Sequence, residues 1–157
     1  MRLSLSLATA MNALLFHATF AAEESPIRFA MHRLGTFRAE AVALGDFNSD
    51  GQTDICDTQY WYEGPSWTPR QYRQAAGSVD DKGIGYYDAQ MALPLDVDGD
   101  GWLDVVLGSW EKETLWWARN PGKAAGLWKE TLVEKEIAVE SGDLWDMDGR
   151  GQARAVV

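Results

Sequence analysis

The stretch Asp46-Phe47-Asn48-Ser49-Asp50-Gly51-Gln52-Thr53-Asp54 returns fifty residues later as Asp96-Val97-Asp98-Gly99-Asp100-Gly101-Trp102-Leu103-Asp104. Another fifty residues reach Asp146-Met147-Asp148-Gly149-Arg150-Gly151-Gln152-Ala153-Arg154, a copy in which two acids have become arginine. One nine-residue pattern thus recurs in phase along a chain of 157 residues. Its period is that of a structural repeat, and its composition is that of a cation loop.

Oxygen-bearing side chains stand at positions 1, 3, 5 and 9 of the first two copies. In a tight turn they converge, and a backbone carbonyl at position 7 completes the shell of about 6 to 8 oxygens, at ~2.3–2.6 Å, that calcium takes. Magnesium resists such a dehydrated cage. Gly51 and Gly101 at position 6 let the chain reverse with positive φ, so that later oxygens face earlier ones. A merely solvated turn of Asp, Asn and Gly would need no fixed spacing. In the third copy Asp146 and Asp148 face Arg150 and Arg154. There a guanidinium is expected in place of the metal, bridging the two carboxylates, and no calcium is expected.

Acidic loops of this kind also occur in helical EF-hands and dockerins, so the flanks decide. An EF-hand loop closes on a bidentate acid at position 12 and runs into a helix. Position 12 is Asp57 in the first copy but Leu107 in the second. The loops run on into Ile55-Cys56-Asp57-Thr58-Gln59-Tyr60-Trp61-Tyr62 and Val105-Val106-Leu107-Gly108-Ser109-Trp110, which are β-branched and aromatic. Such segments are strands. One full repeat reads as strands near 89–95, 103–109, 113–119 and 127–134, with a turn at Asn120-Pro121-Gly122. The first repeat is less regular, since Gly64-Pro65 and the polar Gly77 to Gly85 stretch replace tidy turns. The expectation is an all-β fold: a partial β-propeller of four-stranded antiparallel blades with calcium-binding loops.

The segments ALGDFNSDGQTDI, LPLDVDGDGWLDVVLGSW and LWDMDGRGQA, with WYEGP and WWARNPG after the first two loops, resemble FG-GAP/VCBS repeats, found in integrin α-subunit propellers and in many secreted bacterial proteins. The resemblance covers roughly 27–157. It implies that each loop joins the innermost strand of a blade to the next, with Asp46, Asn48, Asp50 and Asp54, and Asp96, Asp98, Asp100 and Asp104, as side-chain ligands of two Ca²⁺ ions. The carbonyls of Gln52 and Trp102 would complete the sets. The third copy departs from the family at Arg150 and Arg154, and the family fixes no single activity.

Propellers close with about 4–8 blades, whereas this chain carries two repeats and the opening of a third. It therefore reads as a fragment of a longer propeller. Ile27 to Leu34 is expected to be the outer strand of a preceding blade, similar to Trp128 to Val133. Eight Trp and 46% hydrophobic residues suffice for a core, but repeat units need neighbours to bury their faces, so the isolated chain is expected to aggregate.

Met1-Arg2, the apolar run Leu3 to Phe20 and the small-x-small site at Thr19-Phe20-Ala21 form a secretory signal peptide, 1–21, leaving repeats over 22–157. The run is short and broken by Asn12 and His17, against a stable membrane span. The chain is therefore expected to be secreted, periplasmic or at the cell surface, where calcium is plentiful. Net charge is −10, which disfavours nucleic acid as a partner. Cys56 is the only cysteine, read as a small buried side chain or else a thiol able to pair between chains. His32 is the only histidine beyond the signal, and no serine sits in a G-x-S-x-G elbow, so nucleophilic catalysis has no support.

Glu40, Gln90 and Glu140 stand six residues before each loop. If the segments between are innermost strands, these groups line a central channel, either as a ligand or acid–base set or as a solvated ring. Trp61, Trp110, Trp116 and Trp117 are expected to pack between blades, or one of them to be exposed for sugar stacking. The reading that follows is a calcium-binding module for a protein or carbohydrate ligand. Its alternatives are a fragment of a carbohydrate-active lyase or dehydratase, and a truncated chain without activity.

Overall fold

The computed structural model describes residues 27–157; the signal peptide expected at 1–21 lies outside them. All ten strands belong to the unit His32–Val157, and the described residues contain no helix. The all-β expectation holds and the EF-hand alternative falls. No described helix is long and apolar enough to cross a membrane.

Two four-stranded antiparallel sheets and one two-stranded sheet follow in chain order. The first is β1 (Val42–Gly45), β2 (Asp54–Asp57), β3 (Tyr60–Glu63) and β4 (Thr68–Gln71). The second is β5 (Met91–Leu95), β6 (Asp104–Ser109), β7 (Thr114–Arg119) and β8 (Lys129–Lys135). The third pairs β9 (Asp143–Trp145) with β10 (Arg154–Val156). Each sheet runs in sequence order, strand beside next strand, as hairpin connections dictate. The period survives residue for residue: the strands before the loops end at 45, 95 and 145, and those after begin at 54, 104 and 154. β1 lies against β5, and β5 against β9 and β10, so the first strands of successive sheets are neighbours. No sheet closes on itself.

The inner strands of the middle sheet, β5 and β6, are apolar on both faces because both are covered, whereas β8 is exposed along its length. Val105 and Leu107 of β6 join Ala43, Cys56, Phe47, Tyr72, Ala92 and Trp128 in a core between the first two sheets. The intervening Val106 points the other way, to Met91, Leu93 and Val139, with Leu144 and Ala155 of the third sheet packed against them. That is the period-two alternation of a strand with a core on each side. Cys56 is buried in the first core, which removes it from pairing between chains, and burial pushes its thiol far above the usual range. Trp61 and Trp116 pack on the same core and Trp117 is half-buried. Trp110 is the exception, 58% exposed.

Ile27 to Leu34, expected as an outer strand, contains no strand. Thr36 and Gly35 lead instead to Phe37, which stacks on Tyr87 at 4.3 Å between ring centres and meets Tyr60 edge-on at 5.7 Å. Aromatic packing, not a backbone ladder, holds Phe37, while Ile27, Phe29 and Met31 are exposed.

The two large sheets are joined outside their core by a buried ion cluster. Arg73, just beyond β4 and 2% exposed, donates to both oxygens of Asp88, at 2.9 and 3.1 Å, to Glu130 of β8 at 3.1 Å and to the Thr58 carbonyl at 3.1 Å.

Candidate metal centre

In all three loops the carboxylate at position 1 folds the turn. Asp46 accepts the backbone N–H of Asp50 at 3.0 Å and of Gly51 at 2.8 Å. Asp96 accepts those of Gly99, Asp100 and Gly101 at 2.8–3.1 Å. Asp146 accepts those of Arg150 at 3.1 Å and Gly151 at 2.8 Å, and these N–H groups, Gly151 first, hold its carboxyl below the usual range. Position 5 repeats the device over a shorter span: Asp50 accepts from Gln52 N–H at 2.8 Å and Asp100 from Trp102 N–H at 3.0 Å. These are Asx-type turns, in which a side chain replaces the backbone acceptor.

Position 9 braces the loop to the sheet. Asp54 accepts Phe47 N–H on one oxygen and Gly64 N–H on the other, both at 2.8 Å. Asp104 does the same with Val97 N–H at 3.0 Å and Asn120 N–H at 2.8 Å. Both side chains are fully buried, and burial raises their carboxyl pKa values, opposed by these N–H groups. Position 6 has the expected positive φ: 84° at Gly51, 89° at Gly101 and 78° at Gly151. Position 4 has it too, at Gly99 and Gly149 with 74° and 68°, and at Ser49 with 55°.

The donor chemistry suits a hard cation. One ligand atom from each of Asp96, Asp98 and Asp104 lies within 4.8 Å of the others. Oxygens sharing one calcium ion stand at most about 5 Å apart. Among the described residues this is the one such gathering of carboxylates. Loop one differs by its amide at position 3: Asn48 donates to Asp50 at 3.0 Å and to Glu63 at 3.4 Å.

The third copy departs from expectation in one respect. Arg154 donates to Asp148 at 3.0 Å and the Arg150 guanidinium stands 3.8 Å from the same oxygen, so both cations gather on Asp148 and neither bridges to Asp146. The reason is local, since the oxygens of Asp146 already serve the turn. Position 9, now Arg154, supplies no brace.

The bridging guanidinium appears at loop two. Arg119, the last residue of β7, places Nε on Asp98 and Nη2 on Asp100, the latter at 2.8 Å. Neither Arg119 nor Glu63 was visible as a loop residue in the sequence. Strand pairing brings them there, and the longer β6–β7 hairpin gives them different sequence offsets from their loops. Asn120 was also missed. It is 2% exposed, donates its amide N–H groups to the Phe47 carbonyl at 2.8 Å and the Leu103 carbonyl at 2.9 Å, and accepts Gly122 N–H at 2.9 Å.

Glu40, Gln90 and Glu140 line one cavity of about 250 Å³ together with Tyr86, Trp110 and Glu111. Gln90 is committed to the backbone, donating to the Tyr87 carbonyl at 2.7 Å and accepting Trp110 N–H at 2.9 Å. The three glutamates are exposed and make no ion pair among the described residues. His32 is exposed and lies outside this cavity's lining. Asp57, the position-12 acid of loop one, accepts Gln59 N–H at 2.7 Å, Tyr60 N–H at 2.6 Å and the Tyr62 hydroxyl at 2.9 Å, which makes it the acceptor of the β2–β3 turn.

No protein-family model, curated protein or solved structure matches this chain.

Proposed function

We propose that this chain is an exported, calcium-binding repeat module of the FG-GAP/VCBS type, built on propeller blades, that presents the Glu40–Gln90–Glu140 cavity to a carbohydrate ligand. The observation that carries the calcium reading is the convergence of Asp96, Asp98 and Asp104 within 4.8 Å on a turn frame repeated at loop one. Asp46, Asn48, Asp50 and Asp54, with the Gln52 carbonyl, would hold one ion. Asp96, Asp98, Asp100 and Asp104, with the Trp102 carbonyl, would hold the second. The ion would neutralise acids that otherwise repel one another and would tie each sheet's first strand to its second. For the cavity, the supporting feature is a pair of half-exposed rings, Trp110 and Tyr86, beside exposed carboxylates. Such rings stack on sugar faces while the acids accept hydroxyl hydrogen bonds.

Thermal melting with and without calcium tests the reading. With a dissociation constant of ~10⁻⁴ M, ~1 mM calcium stabilises the fold by roughly 1.4 kcal/mol per site. For a chain of this size that is a rise in Tm of roughly 4 °C per site. Chelation should reverse the rise, and equal magnesium should give less. A Tm indifferent to calcium would refute the metal reading.

A further inference from the structure

The pairings Ile55 with Tyr62 and Val105 with Ala118 place Glu63 and Arg119 at the same point of their sheets, one residue beyond each pair. The residues that follow agree: Gly64 N–H reaches Asp54 and Asn120 N–H reaches Asp104, each at 2.8 Å. At this matched position loop one has an acid and loop two a base. Glu63 faces the Asn48 amide and is held by Arg70 at 2.6 Å. Arg119 grips Asp98 and Asp100, and Asp98 belongs to the carboxylate trio that converges in loop two.

We propose that Arg119 is the resident counter-cation of loop two and sets its metal affinity, an inference that rests on the calcium reading above. A divalent ion taking Asp98 and Asp100 meets a guanidinium already on those oxygens, and two cations on one carboxylate repel. Binding therefore proceeds by exchange, with the half-exposed Arg119 swinging into solvent as the ion enters. At loop one the corresponding donor is the neutral Asn48 amide, and Glu63 beside it already carries Arg70, so among the described residues no guanidinium lies on this loop's own carboxylates. The two loops are thus unequal: loop one fills first, and loop two fills at a higher ion concentration that Arg119 sets.

Terbium emission excited through tryptophan tests this, because Trp102 occupies position 7 of loop two and serves as its antenna. The component lost in Trp102→Phe identifies loop two. Arg119→Gln is expected to raise terbium affinity at that component about two- to fivefold, as removal of one exposed charge contact implies. Arg119→Lys, which keeps the charge without the fork, should fall between. Glu63→Arg should transfer the competition, lowering affinity at the Trp102-independent component while loop two stays unchanged. Trp102-dependent emission with equal affinity in wild type and Arg119→Gln overturns the role of Arg119 and leaves the metal reading intact. Absence of such emission from both overturns the metal reading of loop two, and this proposal with it.

Discussion

Ser49 is the one loop residue that occupies left-handed space without being glycine; its φ is 55°, where Gly99 and Gly149 sit at 74° and 68°. An L-residue pays about 1–2 kcal/mol there. Part of this is returned by glycine's greater freedom in the unfolded chain, so Ser49→Gly is expected to stabilise by about 0.5 kcal/mol. The check is a higher urea midpoint at unchanged slope. At this scale the sequence displayed oxygens at positions 1, 3, 5 and 9 but not how they are divided. Position 1 is spent on the turn and position 9 on the brace, because the carboxylates that suit an ion also suit a loop's unpaired N–H groups. That division gives Asp146 its turn-folding role even in the copy whose positions 5 and 9 are arginine. Arg119, Glu63 and Asn120 were illegible for another reason. Only pairing across a hairpin brings them to the loops, and the two hairpins differ in length.

Among the elements, those of the second repeat were the most legible, since strands expected near 89–95, 103–109, 113–119 and 127–134 appear as Met91–Leu95, Asp104–Ser109, Thr114–Arg119 and Lys129–Lys135. Two-sided burial made Met91–Leu95 and Asp104–Ser109 largely apolar runs, the clearest signal a strand can give, whereas Lys129–Lys135 is exposed along its length. Ile27 to Leu34 misled through apolar composition alone, with no partner strand to pair with. Close packing between elements is where sequence says least. Gly108 of β6 illustrates it: a Cβ there would stand 2.8 Å from the Cβ of Val139 and 3.1 Å from the Met91 methyl. Gly108→Ala is expected to cost about 1–3 kcal/mol through overpacking, read as a lower Tm. Calcium should still raise the Tm of this variant, since its loops are untouched.

Across the whole molecule, the first two sheets are held by their shared core and by the Arg73, Asp88 and Glu130 cluster. Burial pushes the Asp88 carboxyl up, but the Arg73 hydrogen bonds and charge, with help from Ala76 N–H and Lys112, prevail and leave it below its ordinary 3.8. A carboxyl with a depressed folded value contributes fully above its unfolded value and loses that contribution as pH falls through the folded one. The stabilisation is therefore complete above about pH 4 and disappears below it. Asp88→Asn leaves a buried guanidinium short of its partner, and is expected to cost about 3 kcal/mol near neutrality. The difference from wild type should shrink in acid, as measured by denaturant midpoints across pH. Asn120 makes a second, smaller connection. Its backbone N–H holds Asp104 and its side chain holds the Phe47 carbonyl, while Phe47 N–H holds Asp54. The innermost carboxylates of the two loops are thereby ends of one three-link chain of hydrogen bonds. Asn120 is the one side chain in that chain of bonds that crosses from one loop to the other, so Asn120→Ala would leave the Phe47 and Leu103 carbonyls without their amide donor and the two loops without this connection.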